Sequence, residues 1–247
     1  MDTKIRWPQN RSFLQHVLVL LAVLFSLTAM AVAQSAPTNS GALDSVLAQM
    51  DAAAQKFHSA QANFQRDQYQ RVVDNTDTQK GTIYFLRSDG ATQMSLRMTQ
   101  FNGQPDEKKV VFKNGVLQFY QPKIDQMTVI HAGNNQQQFE SFLTLGFGGS
   151  GSDLKKNWDV TYLGTETIDG VKTVKLDLVG KQTSVRNMFQ HVTIWVDPTR
   201  AISLKQEFFE PSGDTNTALY SDIQYNQKVS SSVFNIKTTS KTTVVQK

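Results

Sequence analysis

The stretch TLGFGGSGSDL, residues 144–154, holds Gly146, Gly148 and Gly151 in the spacing G-x-G-x-x-G, and its reading decides the fold. Glycines so spaced cradle a pyrophosphate when they lie between a strand and the N-terminus of a helix in a βαβ unit, because backbone N–H groups and the helix dipole then face the anion. A chain built that way is a parallel α/β sheet. The surroundings point elsewhere. Phe139, Phe142 and Leu143 recur at i, i+3, i+4 just upstream, the mark of a short helix that Gly146 ends. The glycines thus follow a helix, no βαβ alternation surrounds them, and GFGGSGS reads as a flexible hinge beside a small apolar lid helix.

Working outward, the hydrophobic period on both sides is two. Segments 62–73, 81–87, 92–100, 109–113, 116–121 and 126–131 precede the glycines, and 158–167, 171–179, 189–197, 202–210, 218–225 and 233–238 follow them. Turn dipeptides separate the segments. Asn114-Gly115 is the clearest, since both residues tolerate the positive φ of a two-residue type I′ turn, and Asp89-Gly90 and Asp169-Gly170 repeat the theme. Consecutive hairpins make an antiparallel meander. Ahead of it, Leu43, Val46, Leu47, Met50, Ala54 and Phe57 recur at helical spacing with Asp44, Asp51 and Lys56 opposite, giving one amphipathic helix with Ser40 as its N-cap. The expected class is mainly β (α+β): about a dozen strands and two or three helical segments.

Composition narrows the setting. Lys4, Arg6 and Arg11 precede an apolar run over 17–25 and the small residues Ala31 and Ala33, which is the pattern of a secretory signal peptide cleaved after Ala33. Residues 34–247 then form one domain. The formal net charge of +4 is spread along the chain, so no basic stripe offers itself to nucleic acid. There is no Cys, which excludes disulfides, thiol chemistry and lipidation of an N-terminal Cys. Apolar residues are 39% of the chain, a thin core that suits a single curved sheet with one face wet.

Catalytic chemistry finds no foothold. His58, His131 and His191 lie far apart without metal-ligand spacing, and Ser150 lacks the glycine that a G-x-S-x-G elbow needs at position 152. No cofactor is called for. Apolar groups are the richer signal: Met94, Leu96 and Met98 share one strand face, and Phe189 and Trp195 oppose Val192, Ile194 and Val196 on another strand. Flexible, polarizable Met suits a surface that accepts varied apolar ligands. Arg97, on the other side of its strand, marks the wet face.

Three motifs resemble the LolA-like family of bacterial periplasmic lipoprotein carriers. LDSVLAQMDAAAQKFHSAQANFQRD, from Leu43, resembles the N-terminal helix entering the first strand, with Arg66 where the family pattern F-x-Q has Gln. GTIYFLR, ending at Arg87, resembles the strand that carries the family's functional Arg. FKNGVLQFYQPKIDQM, residues 112–127, resembles its hairpin, aromatic strand and Y-x-P corner, with Asn114 for the turn Asp and Phe119 near a usual Trp. Met94 stands where the family has an aromatic.

What the resemblance implies is an open, curved antiparallel half-barrel with a helical lid over a concave apolar face, holding the acyl chains of lipoproteins or lipids between inner and outer membrane. Its partners would be an inner-membrane ABC-type release complex and an outer-membrane acceptor, and it would be a periplasmic monomer. Arg87 would couple lid closure to cargo release by bonding lid carbonyls. Met94, Leu96 and Met98 would line the cavity under Leu43, Leu47 and Met50, with Phe139, Phe142 and Trp195 completing it. The same fold also serves envelope sensors, a regulatory alternative. Intact-mass measurement of the soluble envelope fraction should return a chain beginning at Gln34; full-length protein confined to membranes would overturn the leader assignment.

Overall fold

The computed structural model describes residues 39–88, 90–133, 142 and 145–246. The leader 1–33 and Phe139 lie outside them. Among the described residues three helices, α1 (Asn39–Lys56), α2 (Gly151–Asn157) and α3 (Thr183–Met188), accompany twelve strands. The first six are β1 (Ser59–Gln70), β2 (Asn75–Ser88), β3 (Ala91–Phe101), β4 (Gln104–Lys113), β5 (Val116–Gln121) and β6 (Gln126–His131). The others are β7 (Trp158–Ile168), β8 (Val171–Gly180), β9 (His191–Asp197), β10 (Ile202–Phe209), β11 (Thr215–Tyr225) and β12 (Thr243–Gln246). They form one sheet in the order β12-β6-β5-β4-β3-β2-β1-β11-β10-β9-β8-β7. Two meanders, β1 to β6 and β7 to β11, are therefore joined where β1 pairs with β11, and the sheet is an open half-barrel.

Turn chemistry sets the register. Asn102-Gly103, Asn114-Gly115 and Asp169-Gly170 all have positive φ at both positions, and each closes a hairpin whose flanking residues pair directly, as Lys113 does with Val116. Such primed turns match the twist of the strands and keep the apolar alternation in phase from strand to strand. Two rows of core-facing side chains result on the concave face of the first meander. One runs Ala60, Phe85, Met94, Phe112, Leu117, Ile130, and the other Ala62, Ile83, Leu96, Val110, Phe119.

Helix α1 covers the other meander. Val46, Leu47 and Met50 are buried against Leu176, Leu178, Val192 and Ile194 of β8 and β9, with Leu43 half-buried beside them. The expectation that this stripe lies over Met94, Leu96 and Met98 is corrected: Met94 and Met98 belong to a second cluster, with Phe57, Phe85 and Phe147. Burial contributes about 2 kcal/mol per side chain of this size, which holds a helix of 18 residues that would be marginal alone. Ser40 lies inside α1, which begins at Asn39, and so does not cap it from outside.

The C-terminus departs from the sequence pattern. Residues 233–238 form no strand of the sheet. A 3-10 turn, Ser231–Phe234, instead packs across the convex side of β3 and β4, burying Phe234 and bonding Ser95 Oγ to the Val233 carbonyl at 2.7 Å. Thr239 and Thr242 then donate their hydroxyls to the Asp125 carboxylate at 2.7 and 2.6 Å, and β12 runs parallel to β6, the one parallel pair among the described residues.

The glycine stretch is a packed crossover, which corrects its reading as a flexible hinge. Phe147 is buried and bridges Ile202, while Gly148 N–H donates to Ala201 O and Ser203 N–H to Gly146 O. Gly151 opens α2, a helix that the sequence reading did not anticipate, as it also missed α3. No anion can use that helix start, because the Asp51 carboxylate accepts from both Ser152 N–H and its hydroxyl, at 2.9 and 3.0 Å. The spacing has other causes. Gly148 has φ +74°, and a Cβ there would lie 2.4 Å from the Phe57 ring; a Cβ on Gly151 would lie 2.2 Å from the Leu47 carbonyl oxygen. Gly148→Ala and Gly151→Val should each lower stability by about 2–4 kcal/mol in urea denaturation. Gly90→Ala, with positive φ but open space around it, should cost only about 1–2 kcal/mol.

Candidate functional site

Three pieces of chain meet at Arg87, near the end of β2. Its Nη1 donates to the Ala54 carbonyl in the last turn of α1 and its Nη2 to the Gly148 carbonyl of the crossover, both at 2.8 Å. Its guanidinium carbon lies 5.2 Å from the centre of the Phe57 ring, and its own N–H donates to the His58 carbonyl at 2.8 Å. Carbonyls in the last turn of a helix lack intrahelical donors and carry the negative end of the dipole, so a cation fits there. Burial pulls the guanidinium below its ordinary pKa, with Asp153 acting in the opposite direction. Asn226 completes the seam, its Oδ1 accepting from His58 N–H at 2.8 Å and its Nδ2 donating to Lys56 O at 2.7 Å.

Next to this seam Phe147 forms a plug. Its ring stacks on Phe85 with centroids 4.3 Å apart and meets the edge of Tyr220 at 4.8 Å. From the plug toward β6 the concave face carries Leu96, Val110, Leu117, Phe119 and Ile130, all only half-buried. This is a trough of partly covered apolar surface beside a filled core. Its far row ends in charge: Met98 pairs with Lys108, whose ammonium shares the nearly buried Asp106 with Lys123 at 2.9 and 2.8 Å.

The residues singled out in the sequence separate into groups. Arg87, Met94, Leu96 and Met98 lie on the concave side of the first meander. Leu43, Leu47 and Met50 line the underside of α1 over the second. Phe142 stacks on Phe189 at 5.6 Å and tilts against Phe208, so it also serves the second meander. Trp195 is misplaced by the sequence reading: it points to the convex face, where Nε1 donates to Glu166 Oε2 at 2.6 Å and the Lys175 and Lys205 ammoniums lie 4.8 and 4.2 Å from its ring. A large aromatic on a strand with apolar groups on both faces carries no mark of which side it takes. Arg97 is exposed on the convex face, paired with Glu107 at 2.9 Å.

Phe147 and Arg66 escaped notice as site residues. An aromatic set inside a glycine run was the available signal for the first. Arg66 follows Phe64 by two positions and so shares its concave side; Nε and Nη2 both donate to Asn216 Oδ1, at 3.2 and 2.6 Å, and Asn216 Nδ2 donates to Glu210 at 2.6 Å. Tyr220 OH donates to Gln206 at 2.9 Å, and Gln206 Nε2 to the Leu145 carbonyl. Burial raises the Tyr220 pKa, which keeps this phenol neutral. Among the described residues no group of three or more His, Asp or Glu side chains could hold a metal, and none of the helices is long and apolar enough to cross a membrane.

Arg87→Leu removes the side-chain donor from the Gly148 carbonyl and leaves the Ala54 carbonyl only the Phe57 N–H at 3.3 Å. The expected cost is on the order of 1–3 kcal/mol, read as faster amide exchange at residues 54–57 and 147–149 with exchange in β8 and β9 unchanged. Uniform protection throughout the variant would show that the seam does not depend on this side chain.

No curated protein matches the chain. A family model described as "Uncharacterized protein" matches residues 108–246. Among solved structures, an uncharacterized conserved protein from Thermus thermophilus superposes with a TM-score of 0.53 at 10% identity, covering 83% of this chain and 99% of that one. MucB superposes with a TM-score of 0.51 at 15% identity, over 83% of this chain and 65% of its own. A LolA superfamily protein from Nitrosomonas europaea gives 0.39 at 17% identity, over 78% of this chain and 97% of its own. The family model spans more than half of the 247 residues, so the chain belongs to that family, and its fold is an open half-barrel similar to those of the Thermus thermophilus protein and MucB.

Proposed function

We propose that this protein binds acyl chains of lipids or lipoproteins in the concave trough and carries them through the periplasm from inner to outer membrane, after loss of residues 1–33. The observation that supports this most is the trough: Leu96, Val110, Leu117, Phe119 and Ile130 stay half-exposed on the very face that the fold otherwise fills. An alkyl chain laid along them would gain about 0.8 kcal/mol per methylene taken from water. Arg87 ties helix, crossover and sheet in one place, so loosening its two carbonyl bonds would free the elements that border the trough together. Release by an inner-membrane ABC-type complex and delivery to an outer-membrane acceptor belong to this reading, which involves binding and no covalent step.

A second reading makes the same trough the sensing surface of an envelope regulator or adaptor, and the fold shared with MucB is compatible with it. Transfer of bound lipid to acceptor vesicles separates the two, since a carrier hands on its ligand and a sensor retains it.

The binding step itself is tested with a fluorescent fatty acid. Leu96→Asp should weaken binding at least tenfold by placing a carboxylate among the apolar walls, while circular dichroism reports an intact sheet. Arg97→Asp, on the convex side, should change affinity less than twofold. The reverse ranking would mean that the ligand lies on the other face, and failure of the unmutated protein to bind any acylated ligand would remove the reading.

A further inference from the structure

Arg66 is a charged group in an unusual place. It projects from the concave side of β1, two residues beyond the buried Phe64 and four beyond Ala62, whose row leads across Ile83 to Leu96 and Val110. At about 3.3 Å per strand residue it stands roughly 13 Å along β1 from that row. Its surroundings hold it without neutralising it directly. Both bonded N–H groups go to one neutral amide oxygen, that of Asn216, and Glu210 is reached only through the other end of that amide. Among the described residues Nη1 has no hydrogen-bond partner. Burial lowers the guanidinium pKa while Tyr220 and Glu210 raise it.

A guanidinium fixed by an amide, with one edge free and placed beyond the end of an apolar surface, is arranged to receive an anion. The second cationic group at this end of the trough, Lys108, is already occupied by Asp106. We propose that Arg66 is the headgroup anchor of the trough, binding the carboxylate or phosphate at the end of an acyl chain that lies along Leu96 and Val110. The assignment rests on the acyl-binding reading above and adds to it a preference for anionic ligands.

The experiment compares three ligands of equal chain length, palmitate, 1-palmitoylglycerol 3-phosphate and 1-hexadecanol, in competition with a fluorescent long-chain alcohol. The unmutated protein should bind at least one anionic ligand about tenfold more tightly than hexadecanol, as a charge-assisted hydrogen bond in a half-buried site provides. Whichever of the two anions shows the larger ratio identifies carboxylate or phosphate as the group read. In Arg66→Gln the ratio should fall to about one, in Arg66→Lys a preference for the anion should persist, and in Arg97→Gln the ratio should match the unmutated protein. An unchanged ratio in Arg66→Gln, or equal binding of all three ligands by the unmutated protein, overturns the anchor and leaves acyl binding standing. Binding of none of the three overturns both.

Discussion

Backbone carbonyls and N–H groups that enter an apolar interior must find partners there, and the crossing of residues 145–148 over the concave face depends on that constraint. The chain has to pass from β6, near one edge of the sheet, to β7 at the other. Residues 145–148 run through the core, and several of their polar groups find partners there. Leu145 O accepts from Gln206, Gly146 O from Ser203 N–H, and Gly148 O from Arg87, while Gly148 N–H donates to Ala201 O. With these bonds in place Phe147 can sit on Phe85 and Tyr220, and α2 can start against α1. Without them Phe147 could not stay in the cluster it shares with Phe57 and Phe85.

The polar side of α1 serves the same arrangement. Asp51 caps the start of α2 and Asp44 pairs with Lys155 at 2.7 Å, so the two helices are joined by their wet faces while Val46, Leu47 and Met50 bury the dry one. Close approach at Gly151 brings the helix backbones together. The second meander is thereby sealed, with Leu176, Leu178, Val192 and Ile194 fully enclosed. The first is not sealed to the same degree. Its concave rows are filled near β1 and β2 by Phe57 and Phe147 and remain half-open toward β5 and β6. A division of one sheet into a closed core and an open trough gives stability to one half and binding surface to the other.

Charge is distributed to match. Arg87 sits at the inner end of the structure with its donors spent on two backbone carbonyls and the Thr92 hydroxyl, a cation used to hold elements together. Arg66 lies toward the opposite end of β1 with part of its fork free. On the convex face Lys175 and Lys205 lie against the Trp195 ring, Lys205 also faces Glu207 at 3.8 Å, and Lys109 donates to the Asn235 carbonyl. The two concave arginines thus differ in what they leave available, and that difference follows from whether the nearest acceptors are backbone carbonyls or a side-chain amide.

Much of this was legible in the residues alone. Period-two segments and Asn-Gly or Asp-Gly turns determined nearly all of the strands and their hairpin register, because a two-residue turn and a strict alternation act within a few residues of each other. The stripe from Leu43 to Met50 determined a helix, and the context of Gly146, Gly148 and Gly151 excluded a nucleotide fold. The tertiary structure alone decided which meander α1 covers, which side Trp195 takes, and that the last strand returns parallel to β6 beyond the Asp125 clasp. Alternation divides a strand into two faces but does not say which is inside when both carry apolar groups, as in β9. Parallel pairing and the partner of a helix are set by contacts between residues a hundred or more positions apart, where no local period reaches. The same limit applies to Arg66: its place in the chain marked it only as a departure from a pattern, and the concave sheet made it a cation beside an apolar trough.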